Sequence, residues 1–254
     1  MDPDRRNALR DFLKDNIRQE VNFFETDQNL GLIPPPIEKR PRPGDPLFSL
    51  PDPDNYSPGM SFAQAVRQRK SRRSFSKAPL TTEDLGYLLW MTQGVRKKTN
   101  GVYLRSVPSA GCRHALETYL AILNVDGLEP GIYRYLPSSH QLVHLSSPSR
   151  LGDQLARAAL DQPFAGRGAV TFLWTAIPYR MEWRYSEASY KVIALDAGHV
   201  CQNLYLACET IGAGTCAIAA YRQKLADSLL GVDGNDEFVV YLAPVGKIRN
   251  QEME

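Results

Sequence analysis

ETYLAILNV (117–125), GIYRYLPSSHQLVHL (131–145) and AVTFLWTAI (169–177) are rich in β-branched and aromatic residues and read as strands. The short polar loop over 136–140 fits a hairpin between two of them. EFVVYLAPVG (237–246) returns a further core strand near the end of the chain. Helical patterns lie on both sides of this strand-rich middle, so the order of elements predicts an α+β fold rather than a regular βα alternation. No internal repeat is visible.

Working outward, residues 4–24 carry Leu9, Phe12, Leu13 and Ile17 at helical spacing. From 32 to 58, IPPPIEKRPRPGDPLFSLPDPDNYSP holds too many fixed-φ residues for a regular helix or central strand, and Phe48 and Leu50 predict partial packing. The expected organisation is an N-terminal helix and proline-rich extended arm (1–58) followed by one folded domain (59–254). Ser61 and Gln64 stand in capping-box spacing before a short helix. Leu80, Thr81 and Asp84 open a second helix, with Leu85, Leu88, Leu89 and Thr92 on one face and Gly94 ending it. Residues 151–160, 199–210 and 222–230 are further helical segments.

The 254 residues contain 43% apolar and 23% charged side chains with a net charge of +2, an ordinary composition for a soluble globular chain. Cys112, Cys201, Cys208 and Cys216 form no CxxC pair. The stretch MDPDRRNALRDF places charges where a signal peptide has its apolar core, and no apolar run reaches spanning length. The expectation is a cytoplasmic protein with no membrane association.

Three segments carry candidate chemistry. Arg69, Lys70, Ser71, Arg72 and Arg73 form a cationic tract with a hydroxyl inside it. In extended backbone Arg69, Ser71 and Arg73 share one face, and two guanidinium forks beside a hydroxyl suit a terminal phosphate. A solvated basic turn is the plain alternative. Nucleic-acid binding would need further basic stripes with exposed aromatics, and the rest of the chain intersperses acids with bases. Pro108, Ser109, Ala110 and Gly111 allow close backbone approach to a flat ligand, although PSAG alone is only a turn. Gly212, Ala213, Gly214 and Thr215 follow a helix, so they are no dinucleotide fingerprint; they read as a helix end and tight turn, or as backbone lying against a ring. There is no GxSxG elbow, and His114 lacks the companions of a metal site.

Taken in order, RKSRRSF, TTEDLGYLLWMTQGV, SVPSAGCRH with ETYLAI, GLEPGIYRY, WRYSEASYKVIALDAGHVCQNLYLACETIGAGT and YLAPVGK resemble the SagB-type dehydrogenases of the FMN-dependent nitroreductase superfamily. The likeness spans about residues 60–248. It implies a nitroreductase-like α+β fold with a central, mostly antiparallel sheet flanked by helices, forming a homodimer with FMN at the subunit interface. By that resemblance Arg69, Ser71 and Arg73 would hold the phosphate and ribityl chain, with Lys70 toward the flavin edge or solvent. Pro108, Ser109, Ala110 and Gly111 would line the isoalloxazine ring, and Gly212, Ala213 and Gly214 would approach its other side. Lys247 would complete the phosphate site, with Arg249 as its alternative. These loops are expected to converge on one planar, phosphate-tailed ligand.

The resemblance departs at one point. Relatives that oxidise azolines carry a Lys-Tyr pair where this chain has Arg184 and Tyr185, and arginine stays charged and makes a poor general base. Tyr185 and Arg184 are therefore the candidate catalytic residues, Tyr185 as proton donor or relay. The expected activity is hydride transfer between a small organic or peptide-derived substrate and flavin N5. An NAD(P)H-dependent nitro or quinone reductase and a weakly active scaffold subunit of a peptide-tailoring complex are the alternatives.

Overall fold

In the computed structural model, which describes residues 1–99 and 102–249, the strand-rich middle of the chain lies side by side in one sheet. The last five residues of the expected folded domain, 250–254, lie outside the described residues. The helices are α1 (Pro3–Asp11), α2 (Ile17–Glu20), α3 (Phe62–Gln68), α4 (Thr82–Gln93), α5 (Leu151–Ala158), α6 (Tyr179–Tyr185), α7 (Ser189–Thr210) and α8 (Gln223–Leu230). The strands are β1 (Leu47–Ser49), β2 (Val95–Thr99), β3 (Val102–Arg105), β4 (Leu116–Ile122), β5 (Gly131–Leu136), β6 (Gln141–Ser146), β7 (Val170–Ala176), β8 (Ala213–Thr215) and β9 (Phe238–Lys247).

The main sheet runs β1-β6-β5-β4-β7-β9-β8 with every pairing antiparallel, and β2 and β3 form a separate ribbon. The hairpin predicted over 136–140 joins β5 to β6. Every residue of β4 and β7 is buried, because both faces of the sheet are covered. One face meets α4 and α7 through Leu85, Leu88, Leu89, Ile193, Val200 and Leu204. The other meets α5 and α8 through Leu151, Leu155, Ala226 and Leu230.

Both caps read from the sequence are present: Ser61 with Gln64 closes the start of α3, Thr81 with Asp84 closes α4, and Gly94 follows α4 as its C-cap. Two expectations change. The helix predicted over 4–24 is broken into α1, α2 and a 3-10 turn at Phe23–Glu25, and Leu9, Phe12 and Leu13 of its apolar stripe stay exposed. Without a surface to cover that stripe, local propensity alone does not sustain a long helix. The helix expected from 199 begins ten residues earlier, at Ser189, because its first turns pack on the sheet although their sequence is mixed.

The proline-rich arm is tied down by side chains reaching out to it. Trp183 Nε1 donates to Leu32 O at 3.1 Å, Arg105 Nη2 to Ile37 O at 2.9 Å, and Arg134 to Lys39 O at 2.9 Å and Arg40 O at 3.3 Å. Prolines remove the N–H groups that a ladder would need, so the arm's carbonyls are satisfied by buried donors. The arm then adds β1 to the sheet edge, where Phe48 meets Tyr133 edge-on at 5.8 Å.

Candidate functional site

Helix α3 ends at Arg69, and the chain runs on extended against the sheet edge. Ser71 forms a parallel bridge with Thr215 of β8, and Arg72 N–H donates to Thr215 O at 2.9 Å. The alternation read from the sequence holds. Arg72 turns inward, 6% exposed, and pairs with buried Glu209 of α7 at 3.2 Å. Arg69 and Arg73 turn outward, Arg69 over the Tyr205 ring at 5.3 Å and Arg73 over the Phe164 ring at 5.8 Å. Between them the Ser71 hydroxyl meets Tyr205 Oη at 3.0 Å, and that oxygen also accepts from Ala217 N–H at 2.8 Å. Among the described residues neither Arg69 nor Arg73 has a carboxylate partner, so two uncompensated guanidinium groups flank a fixed hydroxyl. Lys70 is exposed, with its backbone N–H 3.4 Å from Glu209 Oε1.

The glycine segment after α7 lies beside this tract. Gly212 sits at φ +64°, turning the chain from the helix into β8. A Cβ on Gly214 would fall 2.9 Å from Arg72 Cβ, so the bare α-carbon makes room for the buried arginine. Lys247, at the end of β9, pairs opposite Ala213, and its ammonium donates to Asp84 at 2.8 Å and to Ile211 O at 2.9 Å. With two of three donors committed and its charge matched, Lys247 retains one N–H for a ligand.

The 108–111 turn lies at the other end of α7. Gly111, Cys112 and His114 have φ of +56°, +54° and +48°, two of them non-glycine residues in a costly region of backbone space. Ser109 Oγ accepts from His114 N–H at 3.0 Å. Burial, with the nearby Arg105 charge, pulls the His114 pKa down to about 3, so the ring is neutral and donates Nε2–H to Tyr103 O at 2.7 Å. Asp196 of α7 stands behind the turn; burial raises its pKa, opposed by hydrogen bonds from Ser109 and the Ala110 N–H. A Cβ on Gly111 would lie 2.6 Å from Tyr185 Oη and 2.9 Å from Arg184 Nε. The turn and the Arg184-Tyr185 pair therefore touch, and Ser186, at φ +47° and ψ −134°, is a third strained non-glycine residue beside them.

The segments expected to converge on one ligand thus form two clusters within the chain. Arg69 to Arg73, Gly212 to Gly214 and Lys247 gather near Tyr205 and Glu209; Pro108 to Gly111, Arg184 and Tyr185 gather near Asp196. At 1.5 Å per helical residue these anchor points are about 14–20 Å apart along α7. Glu209, Tyr205 and Asp196 were missed by sequence reasoning, which saw Arg72 only as part of the basic tract and Asp84 only as the start of a helix. The acids in the otherwise apolar 196–209 stretch were the available signal, since buried charges require partners. Asn203 of α7 donates to Met91 O of α4 at 2.9 Å and ties the two helices together.

A seven-stranded antiparallel sheet with helices on both faces defines an α+β protein, and two outward guanidinium groups lie at its edge beside a glycine turn. Residues 66–247 match the nitroreductase family, and the chain belongs to that family, whose members are in general flavin oxidoreductases. A Methanocaldococcus jannaschii protein bearing the nitroreductase name is 31% identical over 180 residues, 71% of this chain and 87% of its own length. The trifolitoxin-processing protein TfxB of Rhizobium leguminosarum bv. trifolii is 30% identical over 170 residues, 62% of this chain and 46% of its own. A solved structure from Ralstonia eutropha JMP134, also under the nitroreductase name, superposes with a TM-score of 0.68 at 26% identity, covering 87% of this chain and 96% of that one.

Proposed function

We propose that the protein is an FMN-dependent oxidoreductase of the SagB type, acting as a homodimer that joins the phosphate cluster of one copy to the 108–111 turn of the other. The observation that carries this reading is the pair of outward guanidinium groups, Arg69 and Arg73, without carboxylate partners among the described residues on either side of Ser71 in a chain of this family. Those donors fit a phosphate monoester, and the 14–20 Å gap is the reason for invoking a second copy. Exposed apolar side chains support the dimer: Phe62 and Val66 of α3 are 75% and 49% exposed, and Leu195 of α7 is 56% exposed.

Arg69, Ser71 and Arg73 would hold the phosphate, with the spare Lys247 N–H beside them. Ser109, Ala110 and Gly111 would line the ring, and Asp196 and Gly111 keep that turn in place. Bound FMN supplies hydride acceptance and donation at N5. Tyr185, packed against Gly111, would give or pass a proton, with the Arg184 guanidinium beside it. The substrate would be a small organic or peptide-derived molecule; the similarity to TfxB favours the peptide-derived class.

The absorption spectrum of the purified protein gives the first test, with flavin bands expected. Replacing Arg69 and Arg73 together by alanine should release FMN and leave the protein folded. Each charge-assisted contact contributes roughly 1.5–3 kcal/mol, so losing two weakens binding by orders of magnitude. Unchanged flavin content after dialysis of the double variant refutes the placement. Anaerobic mixing with NADPH or NADH separates the directions: rapid bleaching supports a nicotinamide-driven reductase, persistent yellow colour counts against it, and a dehydrogenase requires bleaching by the organic or peptide-derived substrate instead.

A further inference from the structure

The second cluster has a charge pattern that the phosphate grip does not explain. Arg113, Arg180 and Arg184 crowd the 108–111 turn. Arg180 is fully answered, its Nη2 lying 2.5 Å from the buried Glu117 carboxylate. Arg113 stacks over Trp183 at 4.6 Å and donates to Arg180 O at 2.9 Å. Burial lowers its pKa, and the charges of Arg184 and Arg180 lower it further, so like charges face each other there. Arg184 lies over the Tyr185 ring at 5.6 Å and runs past Gly111. Among the described residues neither Arg113 nor Arg184 forms an ion pair. The acids closest in sequence are turned elsewhere: Glu182 and Glu187 interact with Tyr190 and line a separate hollow with Asp27.

Two half-buried guanidinium groups that repel each other and have no ion-pair partner among the described residues form an unfavourable arrangement unless a ligand supplies the missing charge. We infer that the substrate reaching the 108–111 turn carries a carboxylate, and that Arg184, supported by the charge of Arg113, holds it. This rests on the oxidoreductase reading above and names its substrate class. A guanidinium fork takes both oxygens of a carboxylate at once, which fixes the substrate's orientation as well as binding it. Arg113, already committed to Trp183 and to backbone carbonyls, contributes field; Arg184 has its donors available. A free organic acid and the C-terminus of a peptide share this chemistry.

The test compares acids with their uncharged amides on the purified protein. Benzoate against benzamide represents the free acid, and N-acetylphenylalanine against N-acetylphenylalaninamide represents the peptide terminus. Calorimetry reads each affinity whether or not flavin is bound, and flavin absorbance reads whether the ligand lies near the ring. The acid should bind about tenfold or more tightly than its amide, as one charge-assisted pair provides. Arg184→Gln should bring that ratio to about one, and Arg184→Lys should keep part of it. The pair of ligands with the larger ratio identifies the source of the carboxylate. Equal binding of acid and amide by the unaltered protein overturns the inference, and so does a preference that survives in R184Q. Failure to bind FMN at all would instead overturn the oxidoreductase reading, and the acid-to-amide ratio would still be measured.

Discussion

Replacing Gly214 by alanine should disable the phosphate cluster through the packing of Arg72. The added methyl would lie 2.9 Å from Arg72 Cβ and 3.0 Å from Cγ, with Cδ closer still. Rotating the arginine does not relieve this, because its Cβ is fixed by the backbone, which is tied to Thr215 O at 2.9 Å. Either β8 separates from the 69–73 tract or Arg72 is driven off Glu209. Overpacking alone costs about 1–3 kcal/mol. Breaking the buried pair costs about 3–5 kcal/mol. Gly212→Ala is the comparison: its φ of +64° strains an alanine, but nothing lies within 4 Å, so the loss should be about 1–2 kcal/mol. In urea, with a slope of roughly 3 kcal/mol per molar, a loss of about 3 kcal/mol lowers the midpoint by about 1 M. G214A should also lose flavin, since Arg69, Ser71 and Arg73 follow the path that Arg72 anchors. A G214A protein with an unchanged midpoint and full flavin, or one less affected than G212A, refutes the reasoning.

Arg134→Ala should cost about 3–5 kcal/mol and speed proteolytic cleavage within residues 32–58, because Glu117 loses one of its two cations and the arm loses the donor to Lys39 O and Arg40 O. Unaltered cleavage would show that the arm is held by other means. His114 titrates at about 3 when folded and near 6.5 when unfolded, so the unfolded chain binds the extra proton between those values. Stability should therefore fall as pH drops below about 6.5, by up to about 1.4 kcal/mol per pH unit, and be insensitive to this group above it; His140, also lowered by burial, acts in the same direction. His114→Asn should flatten the slope in urea midpoints measured from about pH 4 to about pH 8. Of the four thiols only Cys112 is not buried, and burial pushes Cys201 up to about 12 and Cys208 well above its usual range. A thiol-specific chromogen should thus label one cysteine rapidly and the others only on unfolding.

Strands, caps and the alternation of the basic tract were legible because each depends on near neighbours in sequence. The period-2 pattern put Arg69, Ser71 and Arg73 on one face, and β8 supplied the edge that holds the tract extended. The N-terminal helix failed for the complementary reason: Leu9, Phe12 and Leu13 repeat correctly, yet the fold leaves all three half or more exposed. Arg72 shows the limit most clearly. Local spacing said only that it faced away from the others. That it faces a buried glutamate 137 residues later, through a gap left by Gly214, depends on tertiary placement that no local pattern carries.

The division of the site follows from α7 itself. A straight helix of 22 residues cannot bring Tyr205 and Glu209, near one end, to Asp196. Each end is distinctive: one has two guanidinium groups without carboxylate partners among the described residues about a hydroxyl, and the other has three strained non-glycine residues, Cys112, His114 and Ser186, beside Gly111, which packs on Tyr185 and Arg184. Strain of this kind costs of order 1–3 kcal/mol per residue and persists where the surroundings enforce it. In the homodimer proposed above, a two-fold operation would bring each of these half-sites, set about 14–20 Å apart along one helix, beside the other's counterpart. The exposed apolar residues of α3 and α7 lie on the elements that such an operation would have to cover. A protein that remains monomeric at high concentration while holding FMN tightly would break this argument, because a single chain would then have to supply both halves.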